Sequence, residues 1–213
     1  MLAKRQLPEL VWDAVNLEGI NLTLPEVQTL LDGVTVGGRK LSDQQITINQ
    51  AAAWRLLYKL IEQDRFDVSQ ETAFSLHEVA VREEAPAWGS FRSSGVLIAG
   101  TDYTPPTVAE LPGLFTAMIS DMQRFDDVYD QAIHLFLTMA RCQFFFDVNK
   151  RMGRFMMNGH LLDQGYPVIN LPASKQQLFN ENMLRFYDSG DQSEMNAFMR
   201  DCMDIRVVKI IKE

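Results

Sequence analysis

Cysteine is nearly absent: Cys142 and Cys202 are the two thiols in 213 residues. Two thiols make no disulfide framework, so the fold must rest on a hydrophobic core, and the usage suits a reducing compartment such as the cytoplasm. No apolar run approaches the roughly 20 residues that cross a bilayer. Residues 1–8 carry basic groups but no apolar signal core behind them. A cytoplasmic chain with no membrane partner is expected. Positive charge is also in deficit, with 20 Lys and Arg against 28 Asp and Glu, a net charge of -8. That excludes broad nucleic-acid binding, which needs a basic face. It leaves room for a pocket made by a few arginines. Repeats, low-complexity tracts and linkers rich in Pro, Gly or Ser are missing. Histidine is scarce, with only His77, His134 and His160.

What is present reads as a globular, mainly helical chain. Hydrophobic residues make up 46% and charged residues 23%, which is ordinary for a packed domain. Thr23-Leu24-Pro25-Glu26 is a helix-start signature: a capping threonine, a proline in the first turn and a glutamate at the third helical position. Ser42 with Gln45 repeats the pattern, Ser69 is placed to cap a third helix, and Thr107 with Glu110 opens another. Pro112 predicts a bend there or a later start. Ile133, Phe136, Leu137, Ala140 and Phe144 predict a buried helix ending near Phe146, with the next beginning at about Asn149 and ending at Gly165. Asp191 with Glu194 starts the last one. Between Gly89 and Thr104 the pattern changes. Phe91, Val96, Leu97, Ile98 and Tyr103 favour strand, and glycines and serines favour turns, which predicts a short β-hairpin. The expectation is one domain of about eight helices with one hairpin.

The densest chemistry lies in Gln143-Phe144-Phe145-Phe146-Asp147-Val148-Asn149-Lys150-Arg151-Met152-Gly153-Arg154. A helix starting near Asn149 has unpaired N–H groups at its first turn and a dipole that favours an anion. Arg151, Arg154 and Asn158 recur at helical spacing and share a face, while Met152, Phe155, Met156 and Gly159 take the core face. Guanidinium forks match phosphate oxygens. A lone carboxylate beside phosphates, here Asp147, suits Mg²⁺, which keeps most of its waters. Plainer readings stand beside these. Asp147 or Asn149 is an N-cap, and the arginines are solvated charges.

The same stretch resembles the signature of the Fic family, His-x-Phe-x-(Asp/Glu)-(Gly/Ala)-Asn-(Gly/Lys)-Arg-x-x-Arg, matching at Phe145, Asp147, Asn149, Lys150, Arg151 and Arg154. Gly89-Ser90-Phe91-Arg92, Val96 to Gly100 and Pro105-Pro106 look like the family's hairpin flap. Ile169-Asn170-Leu171-Pro172 and Tyr187 to Asp191 look like the segments after the motif. Leu17-Glu18-Gly19-Ile20, Leu22 to Val27 and Asn49 look like the N-terminal inhibitory region of one Fic class. The resemblance implies a Fic-type helical bundle, with an inhibitory helical region over residues 1–60 and a core over residues 61–213. It implies transfer of AMP from ATP to a hydroxyl of a target protein. Asp147 would hold the metal, Asn149, Lys150 and Arg151 would serve the phosphates, and Arg154 the γ-phosphate. Val96, Leu97 and Ile98 would dock the target by strand addition. Glu18 would pair with Arg154 and misalign ATP. A homodimer is among the assemblies the resemblance allows.

Three departures bear on activity. The family's histidine base is Gln143 here, and a carboxamide cannot take a proton near neutral pH. Val148 replaces Gly or Ala, and Ala14 stands where the inhibitory motif has Ser or Thr. His134 lies too far along its helix to substitute for the base, His160 follows Asn158 by two and leaves the arginine face, and His77 has no position the sequence can assign; structural roles are expected for all three, and buried packing for Cys142. The residues thus support a nucleotide-binding pseudoenzyme. An active transferase of altered chemistry and a pure interaction module using the hairpin edge are the alternatives.

Overall fold

The computed structural model describes residues 4–84 and 86–203. The outermost parts of the expected 1–60 and 61–213 regions lie outside them. Nine α-helices run through the described residues: α1 (Leu7–Leu17), α2 (Leu24–Leu31), α3 (Leu41–Glu62), α4 (Gln70–Ala80), α5 (Leu111–Met122), α6 (Val128–Cys142), α7 (Asn149–Asp163), α8 (Gln176–Ser189) and α9 (Ser193–Asp201). The helix α3 runs across position 60.

Local chemistry explains most of the starts. At α2 the Thr23 hydroxyl accepts from Glu26 N–H while Glu26 Oε2 accepts from Thr23 N–H at 2.7 Å, a reciprocal cap. Ser69 caps α4 by accepting from Thr72 N–H. Thr107 and Glu110 form a capping box on a single 3₁₀ turn, and α5 begins after it with Pro112 in its first turn. The expected cap at Ser42 does not form. Gln44 grips the preceding loop, accepting from Val36 N–H at 3.0 Å and donating to the Val36 and Arg39 carbonyls at 3.1 Å. That grip sets the entry two residues earlier, at Leu41 with Lys40 at the N-cap, and leaves Ser42 inside the first turn.

Two further expectations are corrected. First, α6 stops at Cys142 rather than Phe146, because Gln143 takes the left-handed conformation (φ 50°, ψ 59°). Phe144 and Phe145 then turn into the core and are fully buried. Second, no strand ladder forms among the described residues, so the predicted hairpin is an extended, irregular flap. A lone two-stranded ribbon is marginal in water, and tertiary anchors hold this segment instead. Arg92, 1% exposed, donates to the Gln143 carbonyl at 2.6 Å, to Ser94 O at 2.8 Å and to Pro106 O. Its backbone N–H donates to Phe144 O at 2.9 Å. At the other end Arg141 lies 4.2 Å from the centre of the Tyr103 ring and bonds Tyr187 O, while the Thr101 hydroxyl donates to Asp188.

The core places α7 at the centre. One apolar cluster joins Leu10 and Val11 of α1, Val27 of α2, Trp54 and Leu57 of α3, and Phe155 of α7. Another joins Phe136 of α6 and Met157 of α7 to Phe179 and Phe186 of α8. Close approach depends on small residues in α7. A methyl at Gly159 would meet the Phe66 ring at 2.4 Å. At Gly153 it would meet the Phe136 carbonyl oxygen at 2.9 Å and its Cα at 3.2 Å.

The obstacle at Gly153 is backbone and cannot swing aside. Gly153→Ala is therefore expected to cost about 1–3 kcal/mol from forced helix separation, exceeding the ~1 kcal/mol that alanine gains in helix propensity. Urea unfolding measures the difference, and an unchanged or raised midpoint would contradict the packing account.

Candidate functional site

The loop from Gln143 to Val148 joins α6 to α7 and forms one wall of an open cleft of ≈950 Å³. Two left-handed residues bracket the loop: Gln143 and, at the N-cap of α7, Val148 (φ 58°, ψ 22°). A β-branched residue in that region is strained, and Val148 is nonetheless buried in the core cluster. Asn149 ties the loop together. Its Oδ1 accepts from Phe145 N–H at 2.9 Å, and its Nδ2 donates to Phe145 O at 2.9 Å and to Gln143 Oε1 at 3.0 Å. Gln143 Nε2 donates to Ala140 O at 2.6 Å. Both ends of the Gln143 carboxamide are thus engaged within the protein. Asn149 acts as the loop's clasp and not as a cap: among the described residues the side chain of the N-cap residue, Val148, does not cap the first turn of α7.

The arginines converge as their spacing predicts. Arg151 Nη2 lies 2.5 Å from Glu18 Oε2, and Arg154 Nη2 lies 2.6 Å from Glu18 Oε1. The expected Glu18–Arg154 pair exists, and Arg151 shares the same carboxylate. Glu18 sits at the C-cap of α1, with Gly19 at φ 85° turning the chain just after it. Burial alone would raise the Glu18 carboxyl; Arg151 and Arg154 outweigh that and hold it below the usual carboxylate range. Burial would lower the Arg151 pKa, but Glu18 and Glu84 push it above its ordinary value. Asn158 does not join them. It donates to Ile169 O at 3.2 Å and accepts from Ile169 N–H at 2.8 Å, fastening the loop after α7.

Asp147 is exposed at the cleft, and its Oδ1 accepts from Val148 N–H at 2.6 Å. Among the described residues its other oxygen has no hydrogen-bond partner. A magnesium ion that takes most ligands from water and phosphate would fit such a single carboxylate; among the described residues no cluster of three or more metal-ligating groups exists. Lys150 lines the cleft too, and its ammonium lies 5.9 Å from the centre of the Phe179 ring. Burial, with Arg154 next, lowers its pKa. Leu97 of the flap overhangs the cleft at 88% exposure, while Ile98 packs on the second core cluster.

Sequence reasoning missed several contributors. Glu84 Oε2 takes Arg151 Nη1 at 2.9 Å, and the Ala80 carbonyl takes the same nitrogen at 2.8 Å. Asp13 accepts from Asn170 Nδ2 at 2.5 Å and Ala173 N–H at 2.8 Å, fixing α1 to the segment before α8. His77 stacks on Phe145 with centroids 3.9 Å apart, and its Nδ1 accepts from Gly89 N–H at 3.1 Å. It thereby supports the loop floor and the flap base together, and it does not reach the place of the base. His134 lies by Gln192 and His160 by Gln131, away from the cleft. Cys142 is buried, as expected.

These features define a helical protein in which one glutamate pairs with two arginines at the start of a central helix. Residues 67–161 match the model of the Fic/DOC family. The protein adenylyltransferase Fic of Drosophila willistoni is 23% identical over 207 residues, which cover 91% of this chain and 39% of that protein. Its counterpart in Drosophila melanogaster is also 23% identical, with 91% and 40% covered. This chain therefore spans about 40% of the length of those relatives. Among solved structures, residues 134–508 of Fic-1 from C. elegans superpose with a TM-score of 0.83 at 17% identity, covering 96% of this chain and 62% of that one. A Fic-domain signalling protein from Bacteroides thetaiotaomicron superposes at 0.73 and 19% identity, covering 85% and 71%. Residues 67–161 thus carry a Fic/DOC-type segment, and the chain has the fold of those Fic structures.

The buried His77 gives a pH signature. Burial, and secondarily the charge of Arg151, push its pKa down to about 4 from an ordinary 6.5. The unfolded chain takes up a proton in that window that the folded chain refuses. Stability present at neutral pH is accordingly lost as pH falls from about 6.5 towards 4, at up to ~1.4 kcal/mol per pH unit. Unfolding midpoints across this range should fall less steeply in His77→Gln, which can still accept from Gly89. Equal slopes would refute the assignment.

Proposed function

We propose that the chain is a nucleotide-binding Fic protein of the adenylyltransferase type that is held closed by Glu18 and transfers AMP slowly or not at all. The observation that carries this is the Glu18 carboxylate gripped by Arg151 and Arg154 at the mouth of α7. A carboxylate there marks where an oxyanion is favoured, and a phosphate is the natural competitor for two guanidinium groups. The exposed Asp147 would hold Mg²⁺, whose charge would offset that of the phosphate chain. Lys150 and the α7 N–H groups would add positive potential. In a transfer, a target hydroxyl would attack the α-phosphorus, the bond to pyrophosphate would break, and the hydroxyl proton would have to leave. Gln143 cannot receive it. The absence of a general base typically costs about 10²–10⁴-fold in rate. For the target, the flap would offer the backbone from Val96 to Ala99, which is in no strand ladder among the described residues, with Leu97 outward, as an edge for an added strand.

A second reading, a non-enzymatic interaction module, draws on the same exposed Leu97 and on the fully engaged carboxamide of Gln143. Nucleotide binding separates the two readings.

Glu18→Gly is expected to raise the affinity for Mg²⁺-ATP by about tenfold or more, because a charge-assisted competitor leaves both arginines. Isothermal titration measures it, and unchanged affinity would count against the closed-site account. Gln143→His in the Glu18→Gly background should raise labelled AMP transfer, to itself or to proteins in a lysate, by about 10²-fold or more. If that variant binds Mg²⁺-ATP yet transfers no faster than its parent, the base assignment fails.

A further inference from the structure

The Glu18 lock has a companion that the proposed closure does not use. Arg151 is 3% exposed, and its guanidinium is engaged on two edges. Its Nε and Nη2 face Glu18, at 3.4 and 2.5 Å. Its Nη1 faces away from Glu18 into the protein, to the Ala80 carbonyl at 2.8 Å and Glu84 Oε2 at 2.9 Å. The two carboxylates differ in how they are held. Glu18 ends α1 beside a turning glycine and, among the described residues, has only the two arginines as side-chain hydrogen-bond partners. Glu84 is tied to α3, because Asn49 Nδ2 donates to Glu84 Oε1 at 2.8 Å and to the Arg82 carbonyl at 2.7 Å. Gln45 in turn donates to Asn49 Oδ1 at 2.8 Å, which fixes the Asn49 amide in that orientation. Glu18 can leave without disturbing any of these bonds.

The geometry points to Glu84 as a standing attenuator of the anion site: a fixed carboxylate that keeps Arg151 partly neutralised after Glu18 withdraws, so that the site binds polyphosphate weakly and selects the metal-complexed form. Glu84 also lines the cleft, so its charge acts on the ligand directly as well as through Arg151. Its side chain is 12% exposed, which limits screening by solvent. The Nε–Nη2 edge of Arg151, now taken by Glu18, is the edge a phosphate would take. An opposite charge on the far side of the same guanidinium weakens that contact. A unit charge acting over several ångströms in partly buried surroundings is worth about a tenfold change in affinity.

This inference rests on the reading that a phosphate chain replaces Glu18. The test uses the full chain carrying Glu18→Gly, with Glu84 native or changed to Gln, Ala or Asp, and titrates Mg²⁺-ATP and adenosine. Glu84→Gln and Glu84→Ala are expected to tighten Mg²⁺-ATP about tenfold; the alanine variant covers the case in which glutamine mispairs with Asn49 and fails to fold. Glu84→Asp keeps the charge and should stay within about threefold of its parent, and adenosine affinity should not move in any variant. A purely structural Glu84 gives the opposite sign, with ATP and adenosine weakened alike and aspartate no better than alanine. That result, or unchanged ATP affinity in the glutamine and alanine variants, overturns the proposal for Glu84 while leaving the nucleotide reading intact. A Glu18→Gly parent that binds no Mg²⁺-ATP overturns both.

Discussion

Two buried guanidinium groups next to each other are tolerable only if something negative meets them. Arg151 and Arg154 are 3% and 8% exposed, and isolated buried charges cost several kcal/mol each even after relaxation. The Glu18 carboxylate meets both, and the rest of the molecule is arranged around that contact. It joins the end of α1 to the first two turns of α7, two elements far apart in sequence. Glu84 and the Ala80 carbonyl complete the shell around Arg151 from the end of α4. Loss of the Glu18 contact would leave Arg154 without a carboxylate partner and Arg151 with Glu84 alone, in a place water hardly reaches.

The loop before α7 is built with similar economy. Asn149 holds Phe145 by both its N–H and its carbonyl, and Phe144 and Phe145 drive into the core from opposite sides of that clasp. Phe144 packs against Phe91 and Phe115, while Phe145 lies on His77. Helix α6 must end where it does to allow this, and the left-handed Gln143 is the residue that ends it. Its carbonyl is held by Arg92 and its side chain by Ala140 and Asn149. Gln143 is thus a joint between helix, loop and flap.

What the sequence disclosed follows the range of the interactions concerned. Caps at Thr23, Ser69 and Thr107 depend on residues three positions apart and were readable. The shared face of Arg151 and Arg154 follows from helix geometry and was readable as well. The start of α3 was misread because its determinant, Gln44 gripping the 36–39 loop, follows no periodic pattern. The flap was misread because strand propensity describes a residue's fit to a half-buried pleated neighbour, and Val96 to Ile98 have none among the described residues. The companion of Arg151 was invisible for another reason. Glu84 lies 67 positions away beside a second glutamate, and nothing local separates the buried carboxylate from the solvated one.

Those differences in range also bear on regulation. Contacts that hold Glu18 are few and lie at the end of a helix beside a glycine with a left-handed backbone, so they can be lost without unfolding α1. Contacts that hold α1 itself are more distributed: Asp13 on Asn170 and Ala173, Gln176 on the Asn16 and Leu17 carbonyls, and Leu10 and Val11 in the core. Opening the site by moving the whole helix would break all of these at once. Rotating Glu18 about the Leu17–Gly19 corner breaks only its own ion pairs. The lower-cost motion is therefore local; on the proposed reading, the charge of the ligand takes over both arginines as the glutamate leaves.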